Sequence, residues 1–249
     1  MKTIILSAGQ GRRLLPFTAD LPKCLLELSG VSLLEWQLRS LAAAGMDEVV
    51  VVTGFQAAKV EATVAGMSVP LRVRTLHNPF FSVADNLASC WTARHEMTGE
   101  FLLLNGDTLI EPAIVDHVLA APATSPITVT IDRKSAYDPD DMKVSLEGDR
   151  LLAIGKTLPL EDVDGESIGL LRFSAEGGRM FVDAVEKALK TNAGLKLWYL
   201  SAIDQIARER GTVGFRSIEG HEWGELDFPE DLKNTRSMTA AWVERGVRL

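Results

Sequence analysis

A short apolar run, Ile4-Ile5-Leu6, stops at Ser7-Ala8-Gly9-Gln10-Gly11. Arg12-Arg13 follow at once, and Lys23 comes later behind Pro22. These residue types at this spacing suit a loop that wraps a triphosphate. Glycine has no Cβ and tolerates positive φ, so the backbone at Gly9 and Gly11 can approach phosphate oxygens closely. Unpaired N–H groups there can form an anion-binding nest, and Arg12 and Lys23 can add charge-assisted hydrogen bonds. The pattern is not a Walker loop, because Lys23 is neither preceded by Gly nor followed by Ser or Thr. It is not the dinucleotide fingerprint either, because Leu14 stands where a third glycine is needed. On spacing alone, a tight strand-to-helix turn with solvated arginines fits these residues equally well.

Two acids stand at comparable places. Asp107 directly follows the apolar run Phe101–Leu104 and Asn105-Gly106, and Asp227 closes Glu222-Trp223-Gly224-Glu225-Leu226-Asp227. Two carboxylates converging at a sheet edge make a site for a hard cation such as magnesium, which takes carboxylate and phosphate oxygens. Each acid also has a structural reading: Asp107 as a turn former after Gly106 or a cap near Pro112, and Asp227 as a cap for a helix starting at Pro229. Neither Cys24 nor Cys90 has an identifiable histidine partner, so nothing points to a covalent nucleophile. His77, His95, His117 and His221 are scattered and match no metal-ligand spacing.

The elements that must position these residues alternate. Val49–Thr53 is β-branched throughout and reads as a strand buried on both faces. Ser32 to Ala44 shows Leu33, Leu34, Leu38 and Leu41 at helical spacing, with Ser32 as cap and Gly45 as stop. Strands are predicted at 71–76, 101–105 and 127–131, with helices at 56–65, 85–97 and 112–120. That order predicts an α/β fold: a mixed, mostly parallel sheet with helices on both faces. Ligands in such sheets sit at the carboxyl ends of strands, where Gly9, Gly54, Asn78 and Asp107 fall. In the second half, 142–146 and 151–154 flank Glu147-Gly148-Asp149-Arg150, a hairpin signal. A strand at 166–173, helices at 180–189 and 197–208, a strand at 213–218 and a helix at 229–243 complete the pattern. No linker, repeat or low-complexity tract divides the chain. The expectation is one domain over 1–249, with 1–125 mainly facing nucleotide and 126–249 mainly facing acceptor.

Composition narrows the class. The net charge is −8 and no basic run exceeds two residues, which argues against nucleic-acid binding. No apolar run approaches the ~20 residues that span a bilayer, and Met1-Lys2-Thr3-Ile4 leads straight into a strand with no signal-peptide pattern. Two cysteines suit free thiols in a reducing cytoplasm.

Ser7-Ala8-Gly9-Gln10-Gly11-Arg12-Arg13 through Leu21-Pro22-Lys23 resembles the signature of the nucleotidyltransferases that join a nucleoside triphosphate to a sugar phosphate or another phosphorylated small molecule. Ser7 replaces the usual first alanine of that signature. Asn105-Gly106-Asp107 and Glu225-Leu226-Asp227-Phe228-Pro229-Glu230-Asp231-Leu232 stand where the family's metal motifs are expected. The resemblance implies a Rossmann-like nucleotidyltransferase fold, with Asp107 and Asp227 as magnesium ligands and Arg12 and Lys23 as catalytic residues on the triphosphate. It also implies Ala8, Gly9, Gly11, Gly54, Asn78 and Asn86 around the nucleotide, although Asn78 before Pro79 also fits plain turn chemistry.

Asn86-Leu87-Ala88-Ser89, Asp141-Met142-Lys143-Val144, Ile154-Gly155-Lys156 and Glu166-Ser167-Ile168-Gly169 resemble the CTP-dependent branch that acts on phosphocholine, aminoalkylphosphonates or inositol phosphate. The implied acceptor residues are Lys156 and Lys143, both of which also read as exposed hairpin lysines. Trp198, Tyr199 and Trp223 can attract a quaternary ammonium by cation–π interaction, with Glu166, Glu222 or Glu225 as counter-charges. For Trp198 the helix core beside Leu195 and Leu197 is the better reading; Tyr199 and Trp223 stay open. Tyr137 and Pro139 make the 132–141 loop a candidate lid. The implied partners are CTP and a small phosphorylated acceptor, with the chain a monomer or homodimer. A sugar-1-phosphate or polyol-phosphate enzyme, and more remotely a silent nucleotide sensor, remain the alternatives.

Overall fold

The apolar runs form the spine of one sheet. A computed structural model describes residues 1–121 and 124–247. Strand β1 (Lys2–Ser7) runs into the glycine loop. A small ribbon of β2 (Glu27–Leu28) and β3 (Val31–Ser32) then leads into helix α1 (Leu33–Ala43). Next come β4 (Glu48–Thr53), α2 (Ala57–Gly66), β5 (Arg72–His77), α3 (Asn86–Thr92), β6 (Phe101–Asn105), β7 (Thr108–Ile110) and α4 (Pro112–Ala120). The second half supplies β8 (Ile127–Asp132), β9 (Lys143–Glu147), β10 (Arg150–Gly155), β11 (Gly165–Phe173), α5 (Ala175–Leu189), α6 (Tyr199–Arg210), β12 (Val213–Ser217), β13 (Trp223–Glu225) and α7 (Pro229–Glu244). No described helix is long and apolar enough to cross a membrane.

Strands from both halves join a nine-stranded sheet in the order β5-β4-β1-β6-β11-β8-β12-β10-β9. The first four are parallel. β11 is antiparallel to both β6 and β8 and joins the two halves, and β9–β10 is the expected hairpin. Ser7 pairs with Thr53 and Leu6 with Asn105, so the loops after β1, β4 and β6 leave the sheet side by side. Helices α3, α5 and α6 cover one face, around Phe101 stacked on Phe173 at 4.6 Å. Helices α1, α2 and α4 cover the other. A third apolar cluster joins Trp36 of α1 edge-on to Trp242 of α7 at 5.7 Å, over Leu14 and Leu226. It fastens the C-terminal helix beneath the glycine loop.

The sequence reading starts one helix too late and runs another too far. α5 begins at Ala175, capped by the Ser174 hydroxyl, and includes Gly177 and Gly178. Those glycines are contacts rather than breakers, because a Cβ at Gly177 would run into the Pro126 carbonyl. The helix expected over 85–97 is α3 followed by a separate turn at Arg94–Glu96. The short ribbons β2–β3 and β7–β13 escape a reading based on periodicity because two or three residues carry none.

Gly106 is the tightest point near the cleft. Its N–H donates to the Leu6 carbonyl at 3.0 Å, and a Cβ there would strike that same oxygen and Ser7. Gly106→Ala is therefore expected to cost about 1–3 kcal/mol, as overpacking of a rigid contact does; a denaturant melt at wild-type stability would contradict this.

Candidate active site

The β7–β13 ribbon builds the centre of the site. Glu225 pairs in register with Thr108, and the Leu226 N–H donates to the Asp107 carbonyl at 3.0 Å. Oxygens of Asp107, Glu225 and Asp227 consequently lie within 4.8 Å of one another. The loop bearing Asp107 is held from below by Gln37 of α1, whose amide donates to the Asn105 and Thr108 carbonyls at 2.8 Å each. The capping role open to Asp227 is taken by Asp231, which accepts the N–H groups of Asp227 and Phe228. That leaves the Asp227 side chain for the cleft.

Lys23 lies between the acids. Its Nζ donates to Asp107 Oδ2 at 2.6 Å and Asp227 Oδ1 at 2.7 Å. Burial alone would lower its pKa, but the two carboxylates outweigh burial and hold it above its ordinary value. Glu225 is pushed the other way: enclosure in the cleft, then the charges of Asp107 and Asp227, raise its carboxyl well above the usual range. Its side chain is exposed to the cleft beside these two acids. Asp107 Oδ1 is buried with no hydrogen-bond partner. Three hard oxygen donors, one with an unused lone pair, fit a magnesium ion.

Three hollows meet here. One of about 430 Å³ is lined by Ala8, Gly9, Arg12, Phe55 and Asn86. A smaller one, about 150 Å³, touches Gly9, Gly11, Lys23, Asn86 and Asp107. The largest, about 760 Å³, is lined by Lys156, Glu166, Trp198, Tyr199, Trp223 and the acid cluster. Asn86 borders all three, and its Oδ1 accepts the Tyr199 N–H at 2.9 Å. Gly11 adopts φ +74°, and a Cβ there would meet the Lys23 stem, so the glycine makes room for Lys23. The turn after it separates the two arginines. Arg12 lines the hollow of about 430 Å³, whereas Arg13 pairs with Asp227 at 3.2 Å and Asp140 at 3.0 Å.

Several expected site residues are placed differently. Gly54 lines none of these hollows; it allows close packing where a Cβ would strike the Ala8 carbonyl and Phe81. Asn78 does border the hollow of about 430 Å³, but it is buried and its amide is spent in the turn: Oδ1 accepts the Phe80 N–H and Nδ2 donates to Ser89. Lys143 is neither an exposed lysine nor turned to the cleft, for it is buried and its Nζ reaches the carbonyls of Asp138, Asp141 and Lys156. It anchors the backbone that carries Lys156. The two neighbouring aromatics exchange places. Trp198 precedes α6 in extended conformation and is 39% exposed, its ring facing Lys156 Nζ at 4.5 Å. Tyr199 opens the helix with its ring fully buried against Phe181, and its hydroxyl has no partner at the cleft floor. Trp223 lines the cleft but donates its indole N–H to Asp132 at 2.8 Å. Glu222 is bound to Trp242 and Arg245, away from the cleft.

The sequence reading passed over Arg13 and over Glu225 as part of the acid cluster. Glu225 was findable, because residues 225 and 227 in an extended segment share a face. Lys134 and Asp140, on the loop between β8 and β9 expected as a candidate lid, carried no residue-level signal beyond their charge, and Asp141 entered only as part of the Asp141-Met142-Lys143-Val144 resemblance.

A glycine-lined hollow thus opens on three convergent acids and a lysine at the carboxyl edge of an α/β sheet. Residues 3–160 match the MobA-like NTP transferase domain, and the chain belongs to that family. It is 28% identical over 245 residues to the bifunctional IPC transferase and DIPP synthase of Rubrobacter xylanophilus, covering 97% of this chain and 52% of that protein. It is also 28% identical over 242 residues to CMP-5'-(3-aminopropyl)phosphonate synthase of Streptomyces rubellomurinus, covering 94% and 38%. The chain thus spans about half or less of the length of these relatives. Among solved structures, the inositol-1-phosphate CTP transferase from T. maritima superposes with a TM-score of 0.81 at 20% identity, over 97% of this chain and 96% of that one.

Glu166 supplies a pH test. Its buried carboxyl is pushed up to about 7, chiefly by burial, with the Lys134 ion pair opposing the rise. A carboxyl raised in the folded state favours folding while protonated, and that contribution fades as pH climbs from about 4.5 through about 7. Glu166→Gln is therefore expected to raise the melting temperature at pH 8 more than at pH 5; an equal effect at both would refute the assignment.

Proposed function

We propose that this chain is a magnesium-dependent cytidylyltransferase that transfers CMP from CTP to a small phosphorylated acceptor and releases pyrophosphate. The observation carrying this reading is the acid cluster of Asp107, Glu225 and Asp227 with Lys23, standing where the glycine-loop hollow meets the larger one. CTP is supported by the resemblance at Asn86-Leu87-Ala88-Ser89 and by relatives named for CMP or CTP transfer. Phosphocholine or an aminoalkylphosphonate leads as acceptor. That residues 1–249 work as one unit is supported by the shared sheet.

In this reading Ala8, Gly9 and Asn86 line the base and ribose side. Gly11 and Arg12 hold the outer phosphates. Asp107, Asp227 and Glu225 would hold magnesium, which when bound neutralises triphosphate charge. An ionised acceptor oxygen forms the new bond to the α-phosphorus, and the bond to the bridging oxygen breaks with its electron pair leaving on pyrophosphate. No general base is needed because the acceptor oxygen is already ionised. Lys23 offsets charge at the α-phosphate, and Lys156 orients the acceptor phosphate. Catalysis is then positioning and electrostatics.

The test is pyrophosphate release across CTP, UTP, GTP and ATP against phosphocholine, 2-aminoethylphosphonate, inositol phosphate and glucose-1-phosphate. Release with CTP and a phosphorylated alcohol or phosphonate is expected. Turnover with glucose-1-phosphate alone would keep the fold and overturn the acceptor class. Asp107→Asn is expected to abolish turnover while leaving the fold intact with a lowered melting temperature, because it removes a charge partner of Lys23; normal turnover would remove Asp107 from the metal site. Lys156→Ala is expected to raise the acceptor KM roughly 10- to 100-fold, the worth of one hydrogen bond to a charged group; an unchanged acceptor response would take Lys156 out of the site.

A further inference from the structure

The loop between β8 and β9 dips into the larger hollow with two opposite charges. Lys134 Nζ lies 2.8 Å from Glu166 and 2.8 Å from Asp141. Asp140 reaches Lys156 at 2.9 Å and Arg13 at 3.0 Å. The sites receiving these charges differ from the charges themselves. The Glu166 side chain is only 5% exposed on the central strand β11, whereas Lys134 is 35% and Asp140 46% exposed on the loop. A buried carboxylate requires a paired cation, and among the described residues Lys134 is the only cation bonded to Glu166. Lys156 and Arg13 border the same hollow and are bridged by one half-exposed carboxylate, that of Asp140.

We infer that Lys134 and Asp140 form an internal stand-in for the acceptor: Lys134 fills an ammonium subsite made by Glu166 and Asp141, and Asp140 fills the phosphate subsite at Lys156 and Arg13. The acceptor is then a zwitterion that displaces both. This deepens the proposed cytidylyltransferase reading and rests on it. The geometry also selects the kind of ammonium. Both carboxylates sit at hydrogen-bond distance from the Lys134 nitrogen, so the subsite is built for N–H donors. A trimethylammonium has none and needs aromatic faces instead. The faces available do not make a cage: the Trp198 ring already takes Lys156 and the Tyr199 ring is buried, which leaves Trp223 as a single face on the hollow. The acceptor class is an aminoalkyl phosphate or phosphonate with an unsubstituted amine.

Phosphoethanolamine and phosphocholine separate this cleanly, because they differ only in N-methylation. With CTP and magnesium at pH 8, kcat/KM for phosphoethanolamine is expected to exceed that for phosphocholine by at least about tenfold, the worth of one charged hydrogen bond. Glu166→Gln should erase most of that ratio by lowering phosphoethanolamine turnover alone. Lys134→Ala, on an exposed loop, should lower the phosphoethanolamine KM because the competing ammonium is gone, and Asp140→Ala should lower the KM of both acceptors. Calorimetric titration of phosphoethanolamine into each variant reads the same affinities without turnover. A preference for phosphocholine, a Glu166→Gln loss equal for both acceptors, or a raised KM in Lys134→Ala would overturn the inference. Transfer to inositol phosphate alone would also overturn it while leaving the cytidylyltransferase intact. Failure to release pyrophosphate with any nucleotide and phosphorylated acceptor would bring down the proposed function itself.

Discussion

Lys23 between Asp107 and Asp227 is the contact on which the site depends. It joins three stretches distant in sequence: the loop after β1, the end of β6 and the segment before α7. Without a cation, two carboxylates and Glu225 within 4.8 Å would repel one another in a partly enclosed place. Removing one partner from such a buried set typically costs ~3–5 kcal/mol, because the remaining charges stay desolvated. The lysine therefore does two jobs with one ammonium. It holds the three acids of the cleft together, and it keeps a cation beside the glycine loop.

The rest of the architecture holds those three stretches in place. Gln37 clamps the loop of Asp107 from α1 with two hydrogen bonds to backbone carbonyls. Asp231 takes the free N–H groups at the start of α7, so Asp227 need not. Trp36 against Trp242 holds α7 to α1, and each such buried side chain contributes roughly 1.5–3 kcal/mol. The ribbon β7–β13 then fixes the register that makes Glu225 and Asp227 meet Asp107. Each support is small and local, yet each acts on an element that carries a site residue.

The sheet was legible because its strands are long, apolar and separated by turn residues; Val49–Thr53 and Phe101–Leu104 admit few other readings. The glycine loop, Lys23, Asp107 and Asp227 were legible because their chemistry is tied to strand ends, which the apolar runs locate. The acceptor side was not, because it depends on single-residue phase. Whether α6 begins at Trp198 or at Tyr199 decides which ring meets the cleft, and helix ends are the least regular part of a periodic pattern. Lys143 shows a different limit. A lysine in a hairpin reads as solvated, but three backbone carbonyls gather around its ammonium, and carbonyl placement leaves no trace in sequence. The ribbon strands are too short to have a period at all.

The charge of the cleft explains why its loop carries both signs. Nine carboxylates and three cations (Arg13, Lys134 and Lys156) line the larger hollow, so an anionic acceptor would meet a wall that mostly repels it. A local pair of cations at Arg13 and Lys156 overcomes that repulsion only when nothing else neutralises them, and in the free protein Asp140 does. The same loop returns a cation, Lys134, to the most buried acid of the wall. An acceptor bearing one charge could exchange with only half of this arrangement and would leave the other half of the loop bound across the cleft. An acceptor bearing both exchanges like for like, so desolvated charges stay paired at each step of its entry.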